Sequence, residues 1–343
     1  MNRRRYAITM TVLVLLLAAL AVACLLLGSV KIEPAVVWSI ITGHDSGNEA
    51  WNIIVLHSRL PMIVTAALAG AALSVAGLLL QTTFNNPLAG PSILGVSAGA
   101  GLGVAVVMLA LGGTLGGAMS GAGSYLATLV GALAGAALVL AVLMVFSHVV
   151  RSTTMLLIVG ILVSYMASSV ISLLNSVATE EGVHNYVTWG FGSFTGVTTE
   201  QLPLYATLLL AMMGAAALMV KPLNALLLGT RYAQNLGIDT QRTRNRLLLI
   251  TGVLTAVVTA YCGPIGFVGL VVPHIARLSL GTSNHSRLIP ATIVAGADVT
   301  LLCSLLSVTS PHGIIPINAI TPIIGVPIII YIIVNRRRIQ YFN

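Results

Sequence analysis

An all-α protein that crosses a membrane many times is what this chain predicts, and three observations carry the prediction. Of its 343 residues, 57% are hydrophobic and only 7% are charged, too few charges to clothe a soluble globule of that size. Its apolar stretches run to roughly 20 residues or more, the length at which an α-helix crosses the hydrocarbon, and the alternating segments of a barrel are absent. Third, the charges are sorted along the chain. The net charge of +8 would suggest an anionic partner for a soluble protein, but here the position of each cation decides the reading. Arg3 to Arg5 precede the first apolar run and Arg336 to Arg338 follow the last, so the positive-inside rule places both termini in the cytoplasm and makes the number of spans even.

The spans follow in order from the cytoplasmic marks at Arg5, Arg151, Lys221, Arg231, Arg242, Arg244, Arg246, Arg277, Arg287 and Arg336, between which the chain must go out and return. Span 1 covers about residues 7–28; it is too long for a signal-peptide core and is read as a retained anchor. An outer loop with Glu33, Asp45 and Glu49 leads to span 2, about 57–80, and Asn85, Asn86 and Pro87 are then cytoplasmic. Spans 3 (about 92–111) and 4 (about 124–147) enclose the glycine-rich turn from Gly112 to Gly117, and span 5 runs over about 153–175. Glu180, Glu181 and Glu200 mark the next outer segment, and span 6 (about 201–220) returns to Lys221. The apolar run between Arg246 and Arg277 is about 30 residues, roughly 45 Å of helix, with inside charges at both ends; Cys262-Gly263-Pro264 splits it into span 7 and a short, irregular span 8. Breaks at Pro311-His-Gly313 and Pro316 divide the last run into spans 9 and 10. Only Lys31 and Arg59 among the sixteen basic residues are then outside, and six of the eight acids are. The result is a single transmembrane unit over 1–343 with ten transmembrane helices, in which Gly90-Pro91 is loosely echoed by Gly263-Pro264, a hint of an inverted repeat of spans 2–5 and 7–10.

Two segments carry the functional argument. Between spans 2 and 3, Asn85-Asn86-Pro87 and Gly90-Pro91 interrupt the helix. Backbone that cannot close its own hydrogen bonds survives at bilayer depth only where it is buried in protein or lines a wet cavity, so the break points to a pathway. The longest cytoplasmic excursion, about 222–243, suggests two short helices ended by Gly229 and Gly237, with Asp239 or Thr240 capping the next span. Tyr232, Ala233 and Leu236 would share a helical face able to enter a groove in another protein. The competing reading of that segment is an interfacial anchor, with Leu226 to Leu228 on the lipid headgroups.

Taken together, Arg59-Leu-Pro, Gln81 through Asn86-Pro-Leu-Ala-Gly-Pro91, Leu94-Gly-Val-Ser-Ala-Gly-Ala100, Trp189-Gly-Phe-Gly-Ser193, Ala233-Gln-Asn-Leu-Gly237, Gly263-Pro-Ile-Gly-Phe-Val-Gly-Leu-Val-Val-Pro-His-Ile-Ala-Arg277 and Pro316-Ile-Asn-Ala-Ile-Thr resemble the permease family of iron-siderophore, haem and cobalamin ABC importers. The matches run nearly end to end in the family's order. The resemblance implies a homodimer in the bacterial inner membrane, two cytoplasmic ATP-hydrolysing subunits that bind ATP and Mg, and an external substrate-binding protein. It implies no catalytic residue and no cofactor in this chain, which accords with the absence of a Gly-x-x-x-x-Gly-Lys-Ser/Thr loop. By the same resemblance, Tyr232, Ala233, Leu236 and Gly237 lie in the element that docks on the ATPase. Asn86, Leu88, Thr153 and Thr154 match the cytoplasmic gate, and Arg59 matches an arginine that docks the binding protein. The sequence departs from the family at Met62 and Leu302, where arginine is common, so docking is expected to use different pairs or Lys31.

Other residues carry less. Asp298, alone in an apolar helix, is read as a structural hydrogen-bonding group before a proton relay, because no second buried carboxylate or lysine continues a chain. His44, His57, His184 and His312 share no ligand spacing, and Cys24, Cys262 and Cys303 sit singly in apolar runs, so no metal site is expected. Gly99, Gly101 and Gly103 suit close helix packing better than a dinucleotide loop. Tyr186 and Trp189 fit either an outer vestibule or an interface belt. An ion-coupled transporter or channel is the competing class, and an intramembrane enzyme ranks last because no nucleophile and base pair is available.

Overall fold

The computed structural model describes residues 3–44, 47–111, 122–150, 152–310 and 313–334. Asp45, the turn Gly112 to Gly117, Arg151, Pro311, His312 and Arg336 to Arg338, each used in the topology above, lie outside the described residues. Among the described residues the chain is helical throughout, without a strand. In order, the helices are α1 (Arg3–Leu26), α2 (Pro34–Ile41), α3 (Glu49–Thr83), α4 (Val96–Leu111), α5 (Ala122–Val149), α6 (Thr153–Val177), α7 (Glu180–Gly190), α8 (Leu202–Leu218), α9 (Val220–Leu226), α10 (Thr230–Asn235), α11 (Thr240–Cys262), α12 (Val268–Leu280), α13 (His285–Val308) and α14 (Ile317–Val334). Six of these, α1, α3, α5, α6, α11 and α13, are long and apolar enough to cross a membrane; a seventh span results if α8 and α9, bent by 54° at their junction, count as one. Three shorter apolar helices, α4, α12 and most of α14, accompany them.

Helix α3 is the axis of the molecule. It packs against α13, α11 and α12, and its second half is buried on every side. Small residues make this approach feasible, since apolar helices in lipid gain little from hydrophobicity and rely on close contact. A Cβ placed on Gly70 would overlap the Gly296 carbonyl and Thr300 of α13, and one on Gly77 would overlap the Gly269 carbonyl of α12. The Thr300 hydroxyl donates to the Ala66 carbonyl at 2.7 Å across the same contact. Gly99 and Gly103 of α4 meet Gly135 and Gly131 of α5 in the same manner, whereas Gly101 looks the other way, toward Tyr186.

Helix α1 is peripheral. It packs mainly on α13, and Cys24 is its one buried side chain, donating its thiol to the Leu301 carbonyl at 3.5 Å. The short apolar α2 buries Val37 and Ile40 in a small separate cluster with Ile32 and Val55 and leaves Trp38 exposed. The segment holding Glu180 and Glu181, expected to be an outer loop, is itself a helix, α7, whose Gly182 N donates to the Thr179 hydroxyl at 3.2 Å.

The two backbone breaks foreseen from the sequence lie close together. The first begins past Thr83 with Asn85 at φ +44°, continues through a 3-10 turn over Pro91–Leu94 and ends at Gly95, φ +78°. The second follows Cys262, with φ +75° at Gly263 and +65° at Phe267. Leu88, Gly90 and Pro91 of the first and Ile265 and Phe267 of the second line one cavity of about 120 Å³. Because Cys262 sits beside Tyr205 near the level of Thr65 on α3, while Gly269 meets Gly77, residues 263–267 descend several turns' depth into the protein. Helix α12 therefore fills only part of a membrane depth.

Candidate translocation pathway and coupling element

The segment expected to be the cytoplasmic coupling element forms α9 and α10. Gly229 (φ +102°) starts α10 and Gly237 (φ +80°) turns the chain out of it, conformations an L side chain resists. The turn is closed by Gly237 N on the Gln234 carbonyl at 2.9 Å and by Ile238 N on the Ala233 carbonyl at 3.1 Å. Asp239 then caps α11, its Oδ1 accepting from Arg242 N at 2.9 Å, as the sequence suggested for Asp239 or Thr240. The expected common face of Tyr232, Ala233 and Leu236 is corrected by the fold. Tyr232 (51% exposed) and Leu236 (57%) are presented outward together with Leu228, but Ala233 is fully buried. Its small side chain lets α10 pack against the neighbouring α9 and α11, and the i,i+4 spacing leaves Tyr232 and Leu236 of the three facing outward.

Near the first break, Asn86 Oδ1 accepts from Leu88 N at 2.9 Å, an Asx turn that projects Leu88 outward. Thr153, half-buried, and Thr154, exposed, open α6, whose N-cap Ser152 accepts from Met155 N at 3.4 Å. The structure links these two segments through Gly160, which packs on Ile93 and Leu94 two helical turns beyond Thr153. Nearby, His274 Nε2 is 2.8 Å from the Pro87 carbonyl, and Gln81 joins the Leu270 carbonyl to the Arg277 guanidinium.

Helix α6 carries a feature the sequence reading missed. Its exposed surface holds Thr154, Tyr165, Ser168, Ser169, Ser172 and Ser176, which at 100° per residue fall on one stripe about 100° wide, completed by Ile158 and Ile161. An adjoining exposed stripe is purely apolar, with Met155, Leu162, Met166, Leu173 and Val177. Ser169 and Ser176 turn their hydroxyls back onto the Tyr165 and Leu173 carbonyls at 3.0 and 2.8 Å, while the alignment of six uncharged polar groups on one exposed stripe suits contact with water or a hydrated cargo. The spacing 165, 168, 169, 172, 176 was present in the sequence and is the signal that would have found it.

Arg59, expected on the outer side, is only 5% exposed. Its Nη1 donates to the Leu25 carbonyl at 2.6 Å and the Leu26 carbonyl at 3.2 Å, and its Nη2 to the Val30 carbonyl at 2.5 Å, so the cation closes the C-terminal end of α1. A docking role would require those bonds to be exchanged. Met62 is buried, and Leu302 is partly exposed. Tyr186 and Trp189 stack at 6.2 Å, and burial raises the Tyr186 phenol above its ordinary range, so it stays protonated. Asn318, which opens α14, escaped notice in the sequence beyond its motif. Its Nδ2 donates to the Gly190 carbonyl at 2.8 Å and the Pro264 carbonyl at 2.5 Å, and its Oδ1 accepts from Gly266 N at 3.2 Å. It thus ties α7, the second break and α14 together. Neither Asp298 oxygen has a hydrogen-bond partner among the described residues. No group of three or more His, Cys, Asp or Glu side chains arranged to hold a metal ion occurs among them.

Comparison with known proteins places this geometry. The model of the FecCD transport family matches residues 14–335. The molybdate import system permease protein of Haemophilus influenzae is 33% identical over 276 residues, 80% of this chain and 79% of that protein. The vitamin B12 import system permease protein of Klebsiella pneumoniae is 32% identical over 280 residues, 81% of this chain and 82% of that protein. A solved structure described as an inward-facing conformation of a metal-chelate type ABC transporter superposes with a TM-score of 0.82 at 28% identity, covering 95% of this chain and 98% of that one.

Proposed function

The chain belongs to the FecCD transport family and is an ABC transporter permease of the membrane, and from that premise we propose that it forms the conduit of a primary active importer for a metal chelate: an iron-siderophore, haem or a cobalamin-type corrinoid. Two copies pair, each with ten crossings and both termini in the cytoplasm. The ten are the six long apolar helices, the bent pair α8 and α9, and the shorter α4, α12 and α14. Two cytoplasmic subunits bind ATP and Mg and grip Tyr232 and Leu236 beside the Gly237 turn; an external binding protein delivers the cargo. Alternating access carries it past Asn86, Leu88, Thr153 and Thr154.

The hydroxyl stripe of α6 is the observation that carries this reading. It is uncharged from end to end, so it can hydrate a bulky chelate without holding it, which fits a path that must release its cargo. The relatives' printed substrates, vitamin B12 and molybdate, bracket a wide range of cargo; the absence of any cation on the stripe favours the chelates over a small oxyanion.

The test is uptake into proteoliposomes holding the permease with its ATPase and binding protein, using ferric chelates, haem, cobalamin and molybdate in parallel. ATP-dependent uptake of one chelate is expected. Uptake that persists without ATP, or that is confined to molybdate, would sink the proposal.

A further inference from the structure

The first two turns of α11 grip the end of α5. Gln241, Arg244 and Asn245 occupy positions i, i+3 and i+4, one face of the helix. Arg244 is only 6% exposed, and its Nη2 donates to the carbonyls of Ser147 and, at 3.0 Å, Val150. Gln241 Nε2 donates to the same Ser147 carbonyl at 2.6 Å while its Oε1 accepts from Arg244 at 2.8 Å. The Ser147 hydroxyl donates to Asn245 Oδ1 at 2.6 Å, and Asn245 Nδ2 is 3.2 Å from His148 Nε2. The last carbonyls of a helix have no partner within it and carry its negative end; here the Arg244 guanidinium and the Gln241 amide from another helix satisfy those of Ser147 and Val150, while Asn245 holds the Ser147 and His148 side chains. Farther along the same pair, Gly252 of α11 lies against Leu140 of α5 so closely that a Cβ there would displace the leucine, which makes the two helices one unit.

This clamp has a handle at one end and a gate at the other. Four residues separate α10 from α11, and Gln234 Nε2 of α10 donates to Thr240 Oγ1 at the first residue of α11 at 3.1 Å, so the segment bearing Tyr232 and Leu236 moves with the first turn of α11. At the other end, Val150, held by Arg244, is three positions from Thr153. We propose that Arg244, with Gln241 and Asn245, is the positioning group that converts displacement of the handle into displacement of Thr153 and Thr154. The proposal rests on the coupling and gate assignments made above. Arg244 touches neither cargo nor ATPase; it fixes the geometry through which one reaches the other.

The experiment uses the full transporter in proteoliposomes and measures uptake and ATP hydrolysis together, with a Thr153→Cys reporter whose labelling by a cytoplasmic maleimide is followed with and without nucleotide. The three native cysteines are buried and leave the reporter distinct. Arg244→Gln is expected to keep ATPase binding and hydrolysis within about twofold, to lower substrate moved per ATP at least tenfold, and to abolish the nucleotide dependence of Thr153→Cys labelling. Arg244→Lys, which keeps the charge but loses the fork, should recover the ratio only in part. Where Arg244→Gln does not assemble, Gln241→Leu removes amide bonds and leaves the cation, and should uncouple in the same direction by a few-fold. Uptake and hydrolysis falling in parallel, or an unchanged labelling response, overturns the proposal. Leu236→Asp separates the underlying reading: if it leaves ATPase binding intact, the coupling assignment fails whatever Arg244 does.

Discussion

Replacing Asn318 by leucine removes one side chain of similar size and leaves three main-chain groups without their partner: the carbonyls of Gly190 and Pro264 and the amide of Gly266. Each such bond contributes on the order of 0.6 to 1.5 kcal/mol, the lower figure typical of bonds measured inside membrane proteins. Three of them, partly compensated by water entering from the outer side, give about 3 kcal/mol favouring an opened second break, or roughly a hundredfold in its population. The break has a built-in reporter. Cys262 is buried at its start, its carbonyl accepts from Ser193 N at 2.8 Å, and a cleft of about 260 Å³ lined by Gly192, Ser193 and Pro316 adjoins. With Cys24 and Cys303 replaced by alanine, the rate of maleimide labelling at Cys262 should rise about a hundredfold in Asn318→Leu. A rate within threefold of the parent would refute the claim that Asn318 staples this region.

Three further outcomes follow from the same geometry. Arg59→Leu should cost about 3 kcal/mol by leaving the Leu25, Leu26 and Val30 carbonyls unpaired, seen as a lower unfolding temperature in detergent; a stable variant with weakened binding-protein affinity would instead favour docking. Gly77→Val should prevent α3 and α12 from meeting and abolish accumulation of folded protein, measured by size-exclusion chromatography, whereas Gly214→Val, at a glycine with open space around it, should accumulate normally. Ser172→Phe, in the middle of the α6 stripe, should reduce chelate uptake at least tenfold while leaving thermal stability within about 1 kcal/mol, because the position is exposed; unchanged uptake would remove α6 from the pathway.

Sequence alone determined the class, an all-helical chain with long apolar segments. Where a physical rule acts locally, the reading held: Gly-Pro at 263–264 ended α11 at Cys262, Pro91 opened a new turn, Asp239 capped the helix that follows it, and Gly229 and Gly237 took positive φ values that glycine adopts freely. Composition fixed the membrane as solvent for the same reason, since every residue counts toward it independently. What the tertiary structure decided is how exposed side chains divide among lipid, partner and pathway, and which buried polar groups meet. Ala233 turned inward although its neighbours face out, Arg59 spent its donors on α1, and Asn318 and Arg244 found carbonyls far away in sequence. Those contacts depend on how helices from distant parts of the chain settle against one another, through glycine contacts such as Gly77 with Gly269, and periodicity along a single helix carries no record of what will lie across from it.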